Sequence, residues 1–401
     1  MNKAVLFVVL TVMIDAIGIG LIIPVLPTLV EQVNGGTAAA IAIWLVILTS
    51  TFSLMQFLFG PVLGNLSDRF GRRPVLLISL VVLGIDYLVM AVATSIWVLL
   101  FGRIIAGITA ATNSTASAYM ADISKPDEKA ARFGLIGAAF GMGFVIGPIL
   151  GGTLAGFGTR APFYVAAALA FGNAIFGSIV LVETVDDRIR RPFEWRRANP
   201  LGAFNSIGKI PGLRNLLFVF FLYQMAFASY SSIWAIYTGT RYGWSEQTIG
   251  FSLTIFGLSF ALVSALLIRP AIRWLGERGC VIYGHVGDIL IFILIGAMSS
   301  GFWLLILTPL AALPGIITPA LQGMMSKAVG DDAQGELQGA LTSASAVAMI
   351  PAPLVMGAVF AVFSTPDAAI PIPGAPFFVA SVVMCFALLV FLRTRPPSTS
   401  V

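Results

Sequence analysis

The sequence has one histidine, two cysteines and few charged residues, which make up 10% of its 401 residues. A single histidine excludes a metal site built from several histidines. Cys280 and Cys385 lie in or beside apolar runs without metal-binding or redox spacing, so packing is their expected role. The phosphate-binding loop of nucleotide hydrolases is also missing. These absences argue against a metal-dependent enzyme and against a protein driven by its own ATP hydrolysis.

Hydrophobic residues make up 58% of the chain, which is too many for the interior of one soluble core. A membrane span needs about 20 apolar residues. Runs of that length, cut by glycine, proline or charge, predict twelve spans: 4–30, 40–63, 75–94, 97–121, 132–157, 162–183, 212–238, 247–268, 280–300, 302–326, 336–362 and 375–392. Asp15 interrupts the first run and no small-residue cleavage site follows, which favours a retained helix over a signal peptide.

The basic residues account for the formal charge of +5 and orient the chain. If Lys3 is cytoplasmic and the spans alternate, the 23 lysines and arginines all fall on the cytoplasmic side except Arg103, Arg160 and Arg241. Positive loops stay inside, so both termini are predicted to be cytoplasmic. This distribution explains the basic charge without a nucleic-acid partner.

The chain divides into two related halves. The polar stretch 184–211 is a predicted cytoplasmic linker between an N-terminal six-helix bundle, 1–183, and a C-terminal six-helix bundle, 212–401. Five residue pairs recur at an offset of 205: Gly71 and Gly276, Arg73 and Arg278, Gly134 and Gly339, Pro148 and Pro353, and Gly152 and Gly357. Such matches indicate fused repeats. The predicted fold is therefore all-α and polytopic, with twelve transmembrane helices in two pseudo-symmetric bundles, which is typical of secondary transporters that work by alternating access.

The stretch Gly64–Pro74 joins spans two and three and is unusually charged. Its charged members are Asp68, Arg69, Arg72 and Arg73. Gly71 suits a tight turn and Pro74 the first turn of the next helix. The second half has a degraded copy, Arg269–Gly279, with Arg273 in the place of Asp68. On this pattern alone, Asp68 is either a solvated partner of the arginines or a functional acid.

Ionisable groups inside spans are costly and usually functional. They are Asp15, Asp86, Arg103 and Asp288, with His285 close by. Each acid either binds a cation or proton or makes an interhelical hydrogen bond, and Asp15 is a candidate partner for Arg103. His285 shares a helix face with Asp288, where it either packs or modulates that carboxylate. The amides of Gln56, Gln224 and Gln322 lie in apolar runs and need partners, so packing and substrate binding are both open.

Span five carries small residues at three- and four-residue spacing. They include Gly141, Gly143, Gly147, Gly151 and Gly152, with Pro148 among them. This spacing allows close helix packing, and the Gly147-Pro148 pair predicts a kink.

Together these stretches resemble the major facilitator superfamily and its drug/proton antiporter branch. Gly64–Arg73, Arg103 with Gly107, and Gly141–Gly152 match signatures of the loop between helices two and three, of helix four and of helix five. Further stretches resemble the tetracycline efflux proteins of Gram-negative bacteria: Asp15–Leu29, Ser67–Leu77, Pro162-Phe163 and Pro319–Gly323.

The resemblance implies a multi-pass protein of the bacterial inner membrane that exchanges tetracycline, chelated to a divalent cation such as magnesium, for protons. The implied partners are the lipid bilayer, the drug and protons, with no cofactor, and a monomer suffices. Proton coupling is expected at Asp15, Asp86, His285 and Asp288, and substrate binding at Asp15, Gln56, Arg103, Asp288 and Gln322. A conformational gate is expected at Gly64, Asp68, Arg69, Gly71, Arg72, Arg73 and Asp122. In that gate, Arg72 bridges Asp68 and Asp122, and Asp68 docks near Gly335.

One position departs from this group, because Phe260 stands where the best-known members carry a histidine in helix eight. Either coupling needs only the carboxylates, with His285 compensating, or the substrate differs. The alternative function is a major facilitator transporter of other drugs, of sugars or of metabolites. A membrane-embedded enzyme or receptor lacks support, because no nucleophile triad or appended soluble domain is visible in the sequence.

Overall fold

The computed structural model describes residues 3–110, 112–124, 129–185, 213–329, 334–364 and 368–394. The helices are α1 (Lys3–Ile22), α2 (Leu26–Asn34), α3 (Ala38–Phe70), α4 (Arg72–Val92), α5 (Ile96–Thr109), α6 (Thr112–Asp122), α7 (Lys129–Ala155), α8 (Ala161–Val180), α9 (Leu213–Tyr242), α10 (Glu246–Leu262), α11 (Ile268–Ala297), α12 (Gly301–Leu310), α13 (Ile317–Lys327), α14 (Gln334–Ala348), α15 (Pro351–Phe363) and α16 (Ala375–Arg393). Eleven helical stretches in these ranges are long and apolar enough to cross a membrane. The prediction of an all-α polytopic membrane protein is confirmed.

Prolines divide several predicted spans into two helices. The first span breaks between α1 and α2 at a turn that contains Pro24, and the eleventh breaks before Pro351. The tenth becomes α12, a 3₁₀ turn (Leu313–Ile316) and α13, with Pro309 and Pro314 at the breaks. Proline lacks the backbone N–H that continues a helix, so each break follows from the sequence.

The charged stretch between spans two and three is not a loop, and this corrects the sequence interpretation. Helix α3 continues to Phe70 and α4 begins at Arg72, so the turn is Gly71 alone, with φ of +108°. Helix α3 has 33 residues and is about 50 Å long, more than the bilayer core of about 30 Å. Its charged end therefore extends beyond the membrane as helix.

Predicted spans eight and nine form one continuous helical stretch, Glu246–Ala297. It consists of α10, a π-helical turn (Val263–Leu267) and α11. Its 52 residues would measure about 78 Å as a straight helix, enough for two crossings. The backbone breaks at Gly276, where φ is +68°. This break is the counterpart of Gly71 in the second half.

The chain divides into two compact units. The first comprises Met1–Gly35, Ile47–Pro200 and Ser245–Thr254, and the second comprises Gly36–Val46, Leu201–Trp244 and Ile255–Val401. Each unit thus holds most of one predicted half and a short segment of the other. The predicted linker 184–211 lies outside the described residues except for Thr184 and Val185.

Helices that carry predicted site residues lie within the packing of each unit. In the first unit, α1 packs against α7 and α8, and α4 packs against α5 and α8. Thr11 and Asn173 form a buried hydrogen-bonded pair between α1 and α8, at 3.0 Å from Nδ2 to Oγ1. In the second unit, α11 packs against α13 and α16. Asp15 on α1 and Asp288 on α11 are therefore held by helices on more than one side.

Candidate functional site

Arg72 links the end of α3 to the end of α6. Its guanidinium lies 2.5 Å from Asp68 Oδ1 and 3.2 Å from Asp122 Oδ2, and it donates to Ser67 Oγ at 2.6 Å. The predicted bridge from Asp68 through Arg72 to Asp122 is confirmed as geometry. Gly64 joins this network through its carbonyl, which accepts a hydrogen bond from Ser67 Oγ at 2.7 Å, whereas Arg69 is exposed beside the Phe70 ring. The predicted contact of Asp68 near Gly335 stays a prediction.

Glu183 was not identified as a site residue from the sequence. Its carboxylate accepts hydrogen bonds from the backbone N–H groups of Arg72 and Arg73, at 2.8 and 3.2 Å. A carboxylate at a helix N-terminus satisfies unpaired N–H groups and interacts favourably with the helix dipole. Any side chain at Gly71 would collide with this carboxylate. The available signal was an acid at the last position of the predicted sixth span, but only the tertiary structure brings this acid to the start of α4.

Asp86 and Arg103 form an ion pair between α4 and α5. The side chain of Asp86 is only 2% exposed and that of Arg103 12%, so each charge depends on the other. Gly102 leaves room for the carboxylate, and the guanidinium lies 5.3 Å from the centre of the Phe52 ring. The prediction that Arg103 pairs with Asp15 is wrong, because Asp86 takes that place. The sequence contained a signal for this pair, because Asp86 and Arg103 lie at similar distances along the chain from the turn at 93–95 and so come to a similar depth on adjacent helices.

Asp15 is half-buried on α1, in the part of the helix that meets the glycines of span five. Gly143 faces the backbone of Met13 and Ile17, and Gly147 and Gly151 face the next turns of α1. A side chain at these glycines would collide with backbone atoms of α1. The glycine spacing therefore brings α7 against the helix that carries Asp15, as predicted for close packing.

Gly152 faces a different helix from its neighbours. It lies against the backbone of Glu246 and Gln247 at the start of α10, and Gly250 of the same helix lies against Pro148. Thr254 on α10 donates to the carbonyl of Val145 at 2.9 Å. Pro148 is inside a continuous helix, Lys129–Ala155, and Gly141 has open space around its Cα. The glycine motif therefore holds two helices, one on each face of α7.

His285 and Asp288 lie on α11 in the second unit, and both are buried. His285 Nδ1 is 2.8 Å from the carbonyl of Val281, one turn earlier, and the ring stacks on Phe391 at 6.3 Å between centroids. Its Nε2 has no partner within the described residues. Asp288 interacts electrostatically with the phenols of Tyr223 and Tyr230 on α9. The carboxylate of Asp288 thus faces aromatic side chains.

Tyr223 and Tyr230 belong to an aromatic cluster that the sequence analysis missed. Its members are Tyr223, Phe227, Tyr230, Trp234, Phe256, Phe260, Phe292 and Phe377. Tyr230 is central, with ring centroids 4.9 Å from Phe256 and 5.5 Å from Phe292. The Phe260 ring is tilted against the Phe227 ring, with centroids 6.0 Å apart, and it covers Gly315. The signal was present on α9, where the first four members follow one another at helical spacing.

The predicted amides have different surroundings. Gln56 is exposed on α3, next to the segment that packs on Gly107, and Gln322 is half-buried on α13. Gln224 donates to Ser345 Oγ at 3.0 Å, so its amide has a packing role. Within the described ranges, no three acidic, histidine or cysteine side chains form a group that could hold a metal ion.

The chain is similar in sequence and in fold to known transport and resistance proteins. The chain is 41% identical over 360 residues to the tetracycline resistance protein, class C, of Escherichia coli, covering 90% of each chain. It is 37% identical to the class G tetracycline resistance protein of Vibrio anguillarum, covering 90% of this chain and 91% of that one. Among solved structures, the human organic anion transporter MFSD10 matches with a TM-score of 0.70 and 25% identity, over 97% of this chain and 99% of that one.

The sequence profile of the Major Facilitator Superfamily matches residues 8–312, well over half of the chain. The relatives and the matching structure cover nearly the whole length, so the assignment does not rest on one motif. The chain belongs to the Major Facilitator Superfamily and is a multi-pass membrane transporter.

Proposed function

We propose that this protein exports tetracycline-type antibiotics across the bacterial inner membrane in exchange for protons. The observation that carries the proposal is the 41% identity, over 90% of both chains, to a protein named for tetracycline resistance. The ionisable residues inside the spans support it, because Asp15, Asp86, Arg103 and Asp288 match positions that are important in the group this sequence resembles. Both termini would then lie in the cytoplasm, and a monomer would suffice.

The substrate in this proposal is the drug chelated to a divalent cation such as magnesium. The cation arrives with the drug, so the protein needs acids that bind a cationic complex rather than a complete metal site. Asp288 supplies a carboxylate near two tyrosines of α9, Tyr223 and Tyr230, which belong to the aromatic cluster. Aromatic rings stack on planar ligands and attract cations over their faces. Gln56, Arg103 and Gln322 remain candidates for further polar contacts.

Exchange would follow from competition for the same carboxylates. Asp15, Asp288 or both are deprotonated when they face the cytoplasm, and they bind the cationic complex there. After the complex leaves outside, protons neutralise the acids and the empty carrier returns. A bare charge is costly to move through a closed, desolvated interior, so the unloaded and unprotonated carrier does not return. Because Phe260 cannot carry a proton, coupling rests on the carboxylates.

The test is uptake of magnesium–tetracycline into everted inner-membrane vesicles under a proton gradient. We expect uptake by the wild type, its loss with a protonophore, and loss of concentrative uptake in Asp288→Asn. Glu31→Gln changes an exposed acid on α2 and serves as the matched control with normal uptake. An Asp288→Asn protein that still concentrates drug would contradict the role of Asp288.

The proposed substrate is tested separately by drug susceptibility of cells that express the protein. Tetracycline resistance that a protonophore abolishes supports the proposal. Protection against other antibiotic classes without protection against tetracycline would replace it with a multidrug transporter. Phe260 is the residue to examine in that case, because it enlarges the aromatic cluster at a position where the resemblance implies a histidine.

A further inference from the structure

The second half has a charged triad that reverses each sign of the first. Asp68, Arg72 and Asp122 are followed, 205 residues later, by Arg273, Glu277 and Lys327. In the second triad, Lys327 Nζ lies 2.8 Å from Glu277 Oε1. This pair joins the start of the regular part of α11 to the end of α13, as Arg72 and Asp122 join α4 to α6.

Helix dipoles explain why the reversed pair needs fewer supporting groups. Glu277 follows the break at Gly276 and so begins a helix, and Lys327 ends one. An acid at a helix N-terminus and a base at a C-terminus are both favourable. Arg72 and Asp122 have the opposite arrangement, which is unfavourable by the same rule. Asp68 and Glu183 compensate for it in the first half, whereas the second half has Arg273 and Leu388 at those positions.

The two helices that Glu277 and Lys327 join also carry predicted substrate residues. Asp288 lies eleven residues after Glu277 on α11, about three turns along the same face. Gln322 is on α13, and the adjacent Gly323 lies against the Glu277 carboxylate, with Oε1 2.9 Å from the position of a Cβ. The side chain of Glu277 is 20% exposed and that of Lys327 65%. The pair therefore sets the spacing of α11 and α13 at one end.

We propose that Glu277 and Lys327 are positioning residues for transport: their ion pair, a charge-reversed counterpart of Arg72 and Asp122, holds Asp288 and Gln322 at the separation the drug complex requires. The inference rests on the proposed function, since the proposed function assigns drug contacts to Asp288 and Gln322. Neither Glu277 nor Lys327 touches the drug. Breaking the pair should therefore weaken substrate binding while the protein still folds.

The experiment compares Glu277→Lys, Lys327→Glu and the double exchange in everted vesicles, with magnesium–tetracycline as substrate. Each single variant should raise KM about fivefold, the factor a partly exposed ion pair supplies. The exchange restores the attraction and the net charge but places each charge at its unfavourable helix end, so its KM should fall below that of either single variant without reaching the wild-type value. Glu277→Asp and Lys327→Arg should keep most of the affinity. Glu31→Lys, which reverses the charge of an exposed acid on α2, is the control with unchanged KM.

The outcomes separate this inference from the function itself. Single variants with wild-type KM, or an exchange no better than the singles, would overturn the inference. A lower protein level or Vmax with unchanged KM would also overturn it, since that indicates only a structural role. Wild-type vesicles without proton-driven tetracycline uptake would instead overturn the proposed function.

Discussion

Arg73 and Arg278, 205 residues apart, make the same contact in the two halves. Arg73 donates to the carbonyl of Ser178 at 2.8 Å, near the end of α8. Arg278 donates to the carbonyls of Leu392 and Thr394 at 3.3 and 3.2 Å, at the end of α16. The turns before them, at Gly71 and Gly276, both have positive φ. The repeat thus preserves the backbone turn and the arginine that ties it to the last helix of its half.

The halves differ in where their remaining charges are neutralised. The first half has a buried ion pair, Asp86 with Arg103, where the second has Ile291 and Thr308. Thr308 needs no charged partner, since its hydroxyl donates to the carbonyl of Leu304 at 2.9 Å. Asp288 has Leu83 as its counterpart and faces aromatic rings. The first half therefore buries an acid together with a base, whereas the second half buries the acid Asp288 near the phenols of Tyr223 and Tyr230.

The buried pair should give the largest effect. Arg103→Leu leaves the Asp86 carboxylate buried and unpaired, which should cost about 3–5 kcal/mol of stability. The double variant Asp86→Ile with Arg103→Thr, which installs the second-half residues, should recover most of that loss. Thermal unfolding in detergent measures both. A double variant as unstable as Arg103→Leu would contradict this explanation, because the lost stability would then not come from an unpaired buried charge.

Gly152 and Gly357 should respond unequally to one methyl group. A Cβ at Gly152 meets the backbone of Glu246, which cannot move aside, so Gly152→Ala should cost about 1–3 kcal/mol. A Cβ at Gly357 meets a methyl group of the Val46 side chain, which can shift further than a backbone atom, so Gly357→Ala should cost less than Gly152→Ala. The same unfolding assay compares them. Equal losses would contradict the distinction between backbone and side-chain neighbours.

Substitution of Asp68 should have the smallest effect on stability, and its main effect should be a lower transport rate. Asp68→Asn removes one of the two carboxylates on Arg72, so transport should slow about fivefold while folding and drug binding persist. Arg273→Asn at the equivalent position is the control and should transport normally. Vesicle uptake rates and drug affinity are the measurements. Unchanged transport in Asp68→Asn would make the acid a solvated surface group.

Much of the fold could be predicted because it follows from local chemistry. Membrane length selects the spans, prolines mark their breaks, and Gly71 marks a turn that only glycine tolerates easily. The network of Arg72 was predictable through the family resemblance. The partner of Arg103 and the cap from Glu183 were not, because each depends on which helices become neighbours. The sequence showed only that Phe260 replaces a histidine of the group that the chain resembles. Its place in the aromatic cluster depends on the tertiary structure.

The sequence by itself determined a helical membrane transporter with two related halves, since hydrophobic runs, positive loops and a repeat of 205 residues are properties of the chain. The tertiary structure decided which charges meet. It brought Asp86 to Arg103, Glu183 to the start of α4, Glu277 to Lys327, and the aromatic rings to Asp288. The reason is physical: a buried charge must find a partner in space, and helix packing rather than sequence distance selects that partner.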